Sequence, residues 1–162
     1  MPFIAFVVAG IATATPGLGQ AWAEMSRRPA LRRFAERVEI GTLGYDRERR
    51  MLHYWLRREV DQGGRKSVTW ADSRDCTAVR PLLSSMRQIA LPRPAPYGFD
   101  EGGEITLDGV GYMLRTPARF GLAEGEITIR SNVNTPLAEW VEASMLALAD
   151  CWTGTPPKRV VR

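Results

Sequence analysis

Apolar and polar residues alternate with a period of two along much of the chain, the pattern of strands that bury one face only. From Phe34 to Leu43, Phe34, Glu36, Val38 and Ile40 share one side, and Arg37 and Glu39 the other. A longer strand is predicted over 50–60, with "GYDRER" (44–49) as the turn before it. Gly63 and Gly64 make the next turn, and Ser67–Ala71 reads as a third strand with Val68 and Trp70 on one face. The second half repeats the pattern. Ile105 and Leu107, then Val110, Tyr112 and Leu114, then Ile127 and Ile129 are apolar, with polar neighbours between them. Asp108-Gly109 is a two-residue hairpin signal joining Glu104–Leu107 to Val110–Thr116, and Glu126–Ser131 is the next strand.

Two segments change to helical spacing. Cys76, Val79, Leu82, Leu83, Met86 and Ile89 form one stripe, which predicts a helix over 75–90 with Asp72, Ser73 and Asp75 as competent N-caps. Leu137, Val141, Ser144, Leu148 and Cys151 form another, beginning at an Asn134 or Thr135 cap with Pro136 in the first turn and ending near Trp152. "LPRPAPYGFDEGG" (91–103) separates the halves and reads as a rigid connector. The expected fold class is α+β: a single domain over 34–153, an antiparallel sheet of about six strands with two helices packed on one face, in the order βββα-βββα. Two sheets forming a partly open barrel are the alternative.

The N-terminus breaks the pattern. No charged side chain precedes Glu24, and Phe3–Ala14 is an apolar run. The run is shorter than the roughly 20 residues a membrane-spanning helix needs. It suits the apolar region of a secretory signal peptide, with "AWA" (21–23) ahead of a cleavage between Ala23 and Glu24. The expectation is a signal peptide over 1–23, a flexible basic arm over 24–33 and a basic tail over 154–162. No later stretch is long enough to span a membrane. The mature chain is therefore expected in a bacterial periplasm or outside the cell.

Export changes the meaning of the cysteines. A thiol at a helix start can be an activated thiolate. In an oxidising compartment an even cysteine count points instead to a disulfide. Cys76 begins one apolar stripe and Cys151 ends the other, so antiparallel helices would bring them together. A Cys76–Cys151 bond closing about 75 residues would stabilise the fold by about 4 kcal/mol.

The net charge of +4 and pI near 9.5 fit an acidic partner. However, 20 of the 22 basic residues are Arg, the skew of a GC-rich genome, and 18 acidic residues are interspersed. Nucleic acid is not the expected partner. His53, the one histidine, lies mid-strand in "MLHYWLRRE". Multi-histidine zinc sites are excluded, and no nucleophile elbow, phosphate loop or dinucleotide fingerprint accompanies it. No catalytic residue, metal or cofactor is assigned.

Alternation identifies one surface. If Leu52, Tyr54 and Leu56 face the core, then Met51, His53, Trp55 and Arg57 face outward. Arg37, Glu39, Thr69, Met113, Arg115, Thr128 and Arg130 join them. The expected function is binding of a protein, or of an anionic or glycan ligand, on an open face built from His53, Trp55, Arg57, Arg115 and Arg130. The competing expectation is a small periplasmic hydrolase that uses carboxylates near the connector: Asp72, Asp75, Asp100, Glu101 and Glu104.

Overall fold

The computed structural model describes residues 18–91, 109–120 and 122–159. It contains β1 (Ala21–Pro29), β2 (Phe34–Asp46), β3 (Met51–Gln62), β4 (Arg65–Asp72), α1 (Val79–Ser85), β5 (Val110–Phe120), β6 (Ala123–Ser131) and α2 (Pro136–Ala147). The six strands form one antiparallel sheet in the order β4-β3-β2-β1-β5-β6. The α+β class and the strand number agree with the sequence reading. The element order does not: four strands precede the first helix.

The difference is β1. Residues expected to leave with a signal peptide or to form a loose arm are instead an inner strand. Ala23 pairs with Ile40 on β2, and Met25 pairs with both Val38 on β2 and Leu114 on β5. Ala23 and Met25 are fully buried. Of the expected arm, only 30–33 lies outside the strands, as the turn joining β1 to β2, and a cut before Glu24 would remove Ala21–Ala23 from the sheet. The predicted hairpin around Asp108-Gly109 falls largely outside the described residues. Its first strand, Glu104–Leu107, lies outside the described residues, and Tyr112–Arg115 has β1 on one side and β6 on the other.

One sheet face carries the main core. Met25, Val38, Ile40, Leu56, Ala71, Leu114 and Ile129 pack against Val79 and Leu82 of α1 and Leu137, Val141 and Met145 of α2. Leu148, just past α2, is also fully buried. Burial of the apolar stripe drives this, because a 12-residue helix is marginal on its own in water. Thr135 caps α2, its Oγ1 accepting the Ala138 N–H at 3.1 Å. Trp140 of α2 donates its indole N–H to Ser85 Oγ of α1 at 2.9 Å.

The first helix is shorter than predicted. Asp72 Oδ1 accepts the Arg74 N–H at 2.6 Å, and the Asp72 carbonyl accepts the Cys76 N–H at 2.9 Å. These bonds hold 73–78 in turns, so helical geometry begins only at Val79 and no side chain caps it. Cys76 and Cys151 are joined in a disulfide, with Cα atoms 5.5 Å apart. The bond links the turn before α1 to the 3-10 turn after α2, rather than two helices proper. Thr153 then pairs with Trp70 on the edge strand β4. The beginning of the predicted tail is held too, since Arg74 donates to the Lys158 carbonyl at 3.1 Å. Among the described residues, no helix is long and apolar enough to cross a membrane.

Candidate functional site

The face away from the helices is where sequence patterning placed a binding surface. Register confirms the side for most residues. Leu56 pairs with Ile40 and Ala71 on the helix side, which puts Trp55 and Arg57 on the other. Arg57 pairs with Trp70, so Trp70 lies on the open side and Thr69 on the helix side, the reverse of the expectation.

Trp55 is not an exposed anchor. It is 4% exposed and packs with Leu43 and Trp70 in a second, small core against which Leu18 and Ala21 are laid. The two indole centroids are 5.9 Å apart. The Trp55 ring lies directly over Gly41, where any Cβ would overlap it. Glycine at 41 thus creates the space that a flat indole fills. The apolar outer side of β3 is explained by this core, not by a ligand.

His53 is 2% exposed. Its Nδ1 is 3.3 Å from Ser73 Oγ, and its Nε2 is 3.6 Å from Asp46 Oδ2. The residue types of a hydrolytic triad are therefore neighbours. Their roles differ from one. Ser73 Oγ accepts the Tyr54 N–H at 3.0 Å, and Asp46 Oδ1 accepts the Arg49 N–H at 2.9 Å in the β2–β3 turn. That backbone bond, with a further one from the histidine side, holds the Asp46 carboxyl below its usual range. The grouping ties the turn after β2 to the turn after β4.

The remaining face is a chain of alternating charges that crosses all six strands. Glu126 on β6 meets Arg115 on β5 at 3.2 Å, and Arg115 meets Glu24 on β1 at 3.5 Å. Arg37 on β2 bridges Glu24 at 3.0 Å and Glu39 at 2.7 Å. Arg57 on β3 bridges Glu39 at 3.2 Å and Glu59 at 3.1 Å, and Lys66 on β4 closes the chain on Glu59 at 3.0 Å. The Lys66 hydrogen bond is the main reason the Glu59 carboxyl sits below its usual range. Four acids and four bases cancel. Arg57 and Arg115, expected to present free positive charge, are neutralised; Arg130 is exposed and has no ion-pair partner among the described residues.

A second polar cluster lies on the helix side. Glu36 is 1% exposed and accepts from Arg27 Nε at 2.7 Å and from Arg58 Nε. Arg27 Nη1 continues to Glu142 of α2 at 2.5 Å, and the Tyr112 hydroxyl donates to the other Glu142 oxygen at 2.8 Å. Burial and then the Glu142 carboxylate push the Tyr112 phenol up to about 12. The Arg58 guanidinium lies 5.4 Å from the Trp152 ring centroid. A hollow of about 310 Å³ opens beside these groups. All four carboxylate oxygens already accept bonds from the chain, so this arrangement fixes β1, β2, β3 and α2 rather than presenting a free base. The cluster was missed as a unit, although Glu36 on the apolar side of its strand was its visible sign.

Of the carboxylates near the connector, Asp72 is held by Arg74 at 2.8 Å. Burial works against its ionised form, but the Arg74 bonds outweigh this and hold the carboxyl below its usual range. Asp75 lines a hollow of about 440 Å³ with Trp70, Arg74, Thr153 and Lys158. Asp100, Glu101 and Glu104 lie outside the described residues. Among the described residues, no group of three or more His, Cys, Asp or Glu side chains could hold a metal ion. Comparison with protein-family models, curated proteins and solved structures finds no match to this chain.

Proposed function

We propose that this chain is a non-catalytic binding module, exported from a bacterial cell, that engages a protein partner through its uncovered sheet face. The observation that carries the reading is the charge chain from Glu126 to Lys66, which spans six strands opposite the helices. Side chains already held in ion pairs lose little further freedom on binding, which lowers the entropy cost of association. Alternating signs favour a partner with the complementary alternation and oppose one with a uniform charge. Arg130 and Met113 pair across β5 and β6 in the row beside the chain, where they supply a free cation and a flexible apolar contact. The disulfide supports export, because such bonds persist in oxidising compartments.

The test begins with affinity capture of the mature protein's partner from a periplasmic extract, followed by binding measurements on the purified pair. Met113→Asp with Arg130→Glu is expected to weaken binding at least about tenfold, on the scale of interface contacts. Leu146→Asp, on the exposed side of α2, should leave it unchanged. The opposite pattern would move the binding surface to the helices. A second reading, a small hydrolase, draws its support from the Asp46, His53 and Ser73 grouping. It requires ester or amide hydrolysis that Ser73→Ala abolishes.

A further inference from the structure

Two hairpin turns meet at one end of the sheet. The Gly63 N–H of the β3–β4 turn donates to the Arg33 carbonyl of the β1–β2 turn at 2.7 Å. Gly63 and Gly64 have φ of 63° and 92°, a conformation glycine adopts without penalty, and the Gly64 N–H donates to Asp61 Oδ1 at 2.7 Å. On the other side, the Ala30 N–H donates to the Gly109 carbonyl at 3.0 Å. The two tips are thus held together as one surface.

The chemistry of this surface differs from that of the open face. Arg28, Arg32, Arg33 and Arg65 are all exposed, and none belongs to an ion pair among the described residues. Arg28, Arg32 and Arg33 line a hollow of about 500 Å³ whose one carboxylate, Asp61, already accepts from the Gly64 turn. At the apex between Ala30 and Arg32 stands Leu31, 78% exposed. Leu31 belongs to neither core, and it stands in the same turn as Arg32 and Arg33.

We propose that this tip docks on a membrane surface rich in anionic phospholipids. Leu31 would enter the headgroup boundary, and the arginines would meet lipid phosphates, each guanidinium offering paired donors to one phosphate group. The charge selects an anionic surface, and the leucine selects lipid over a dissolved anion. The proposal does not rest on the reading of the open face, which lies along the strands rather than at their ends.

The test is co-sedimentation of the full mature protein with vesicles of phosphatidylglycerol and phosphatidylcholine, against vesicles of phosphatidylcholine alone. Binding is expected only to the anionic vesicles, and it should fall as salt rises. Arg32→Glu with Arg33→Glu should reduce it at least about twentyfold, since each charge near an anionic surface changes binding several-fold. Leu31→Asp, which leaves all four arginines in place, should also reduce it. The three positions are exposed, so unchanged thermal unfolding is expected and confirms that the variants fold. Two results would overturn the proposal. One is equal binding to both vesicle types, or anionic binding that survives both variants. The other is absence of vesicle binding while a duplex oligonucleotide or inorganic phosphate binds in a manner sensitive to the double variant.

Discussion

Replacing Glu36 with alanine tests whether the helix-side charge cluster holds the fold together. Glu36 is 1% exposed and accepts from two arginines on neighbouring strands. A hydrogen bond to a charged partner contributes about 1.5–3 kcal/mol. Breaking a buried pair costs about 3–5 kcal/mol when the abandoned charge stays buried. Here the arginine side chains are 26% and 30% exposed, so each can regain water, and Arg27 keeps Glu142. That discounts the loss to about 2–4 kcal/mol. Arg58→Met should behave differently, because it leaves Glu36 buried with one oxygen unpaired. Its cost is expected at about 2–3 kcal/mol and should not add to that of Glu36→Ala. Urea unfolding of the two single variants and the double variant measures both the midpoints and the coupling. A Glu36→Ala protein within about 0.5 kcal/mol of the parent, with the same denaturant slope, would refute the reasoning.

Other consequences are open to measurement. Cys76→Ala with Cys151→Ala should lower stability by about 4 kcal/mol in denaturant titrations, and reduction of the parent should do the same. N-terminal sequencing of exported protein should find a start upstream of Ala21, because Ala21–Ala23 belong to β1; a fully stable chain beginning at Glu24 would contradict this. Tyr112 is raised to about 12 in the fold, against about 10 for an unfolded phenol. Its contribution is fully present below pH 10 and lost as pH rises toward 12, which a comparison of alkaline unfolding between the parent and Tyr112→Phe would detect.

Alternation made β2, β5 and β6 legible, because each follows a period-two pattern, whereas β3, apolar on both sides, was legible from its length and the turn signals around it. Alternation also placed Arg37, Glu39, Met113, Arg115 and Arg130 on the correct side. β1 was illegible for a physical reason. "AWAEMSRRP" is poor in β-formers, and its place in the sheet comes from long-range pairing with Val38 and Leu114, which no local pattern reports. Its small residues matched a cleavage motif instead. Trp55 and Trp70 were misread because apolar residues on an outer face look alike whether they cover each other or await a partner. Only Gly41, leaving room for the indole, distinguishes the two cases. The charge chain could not be paired from sequence, since its contacts depend on register across five strand boundaries. The disulfide was legible because Cys76 begins one apolar stripe and Cys151 ends the other.

Site-specific photo-crosslinking addresses the central claim most directly. A photoreactive residue at Met113 sits on the open face, and one at Leu146 sits on the exposed side of α2. In cells producing the protein, position 113 should give one dominant adduct with a protein partner, and Glu39→Lys, which breaks the charge chain beside it, should diminish that adduct. An adduct from position 146 with none from position 113 would contradict the account.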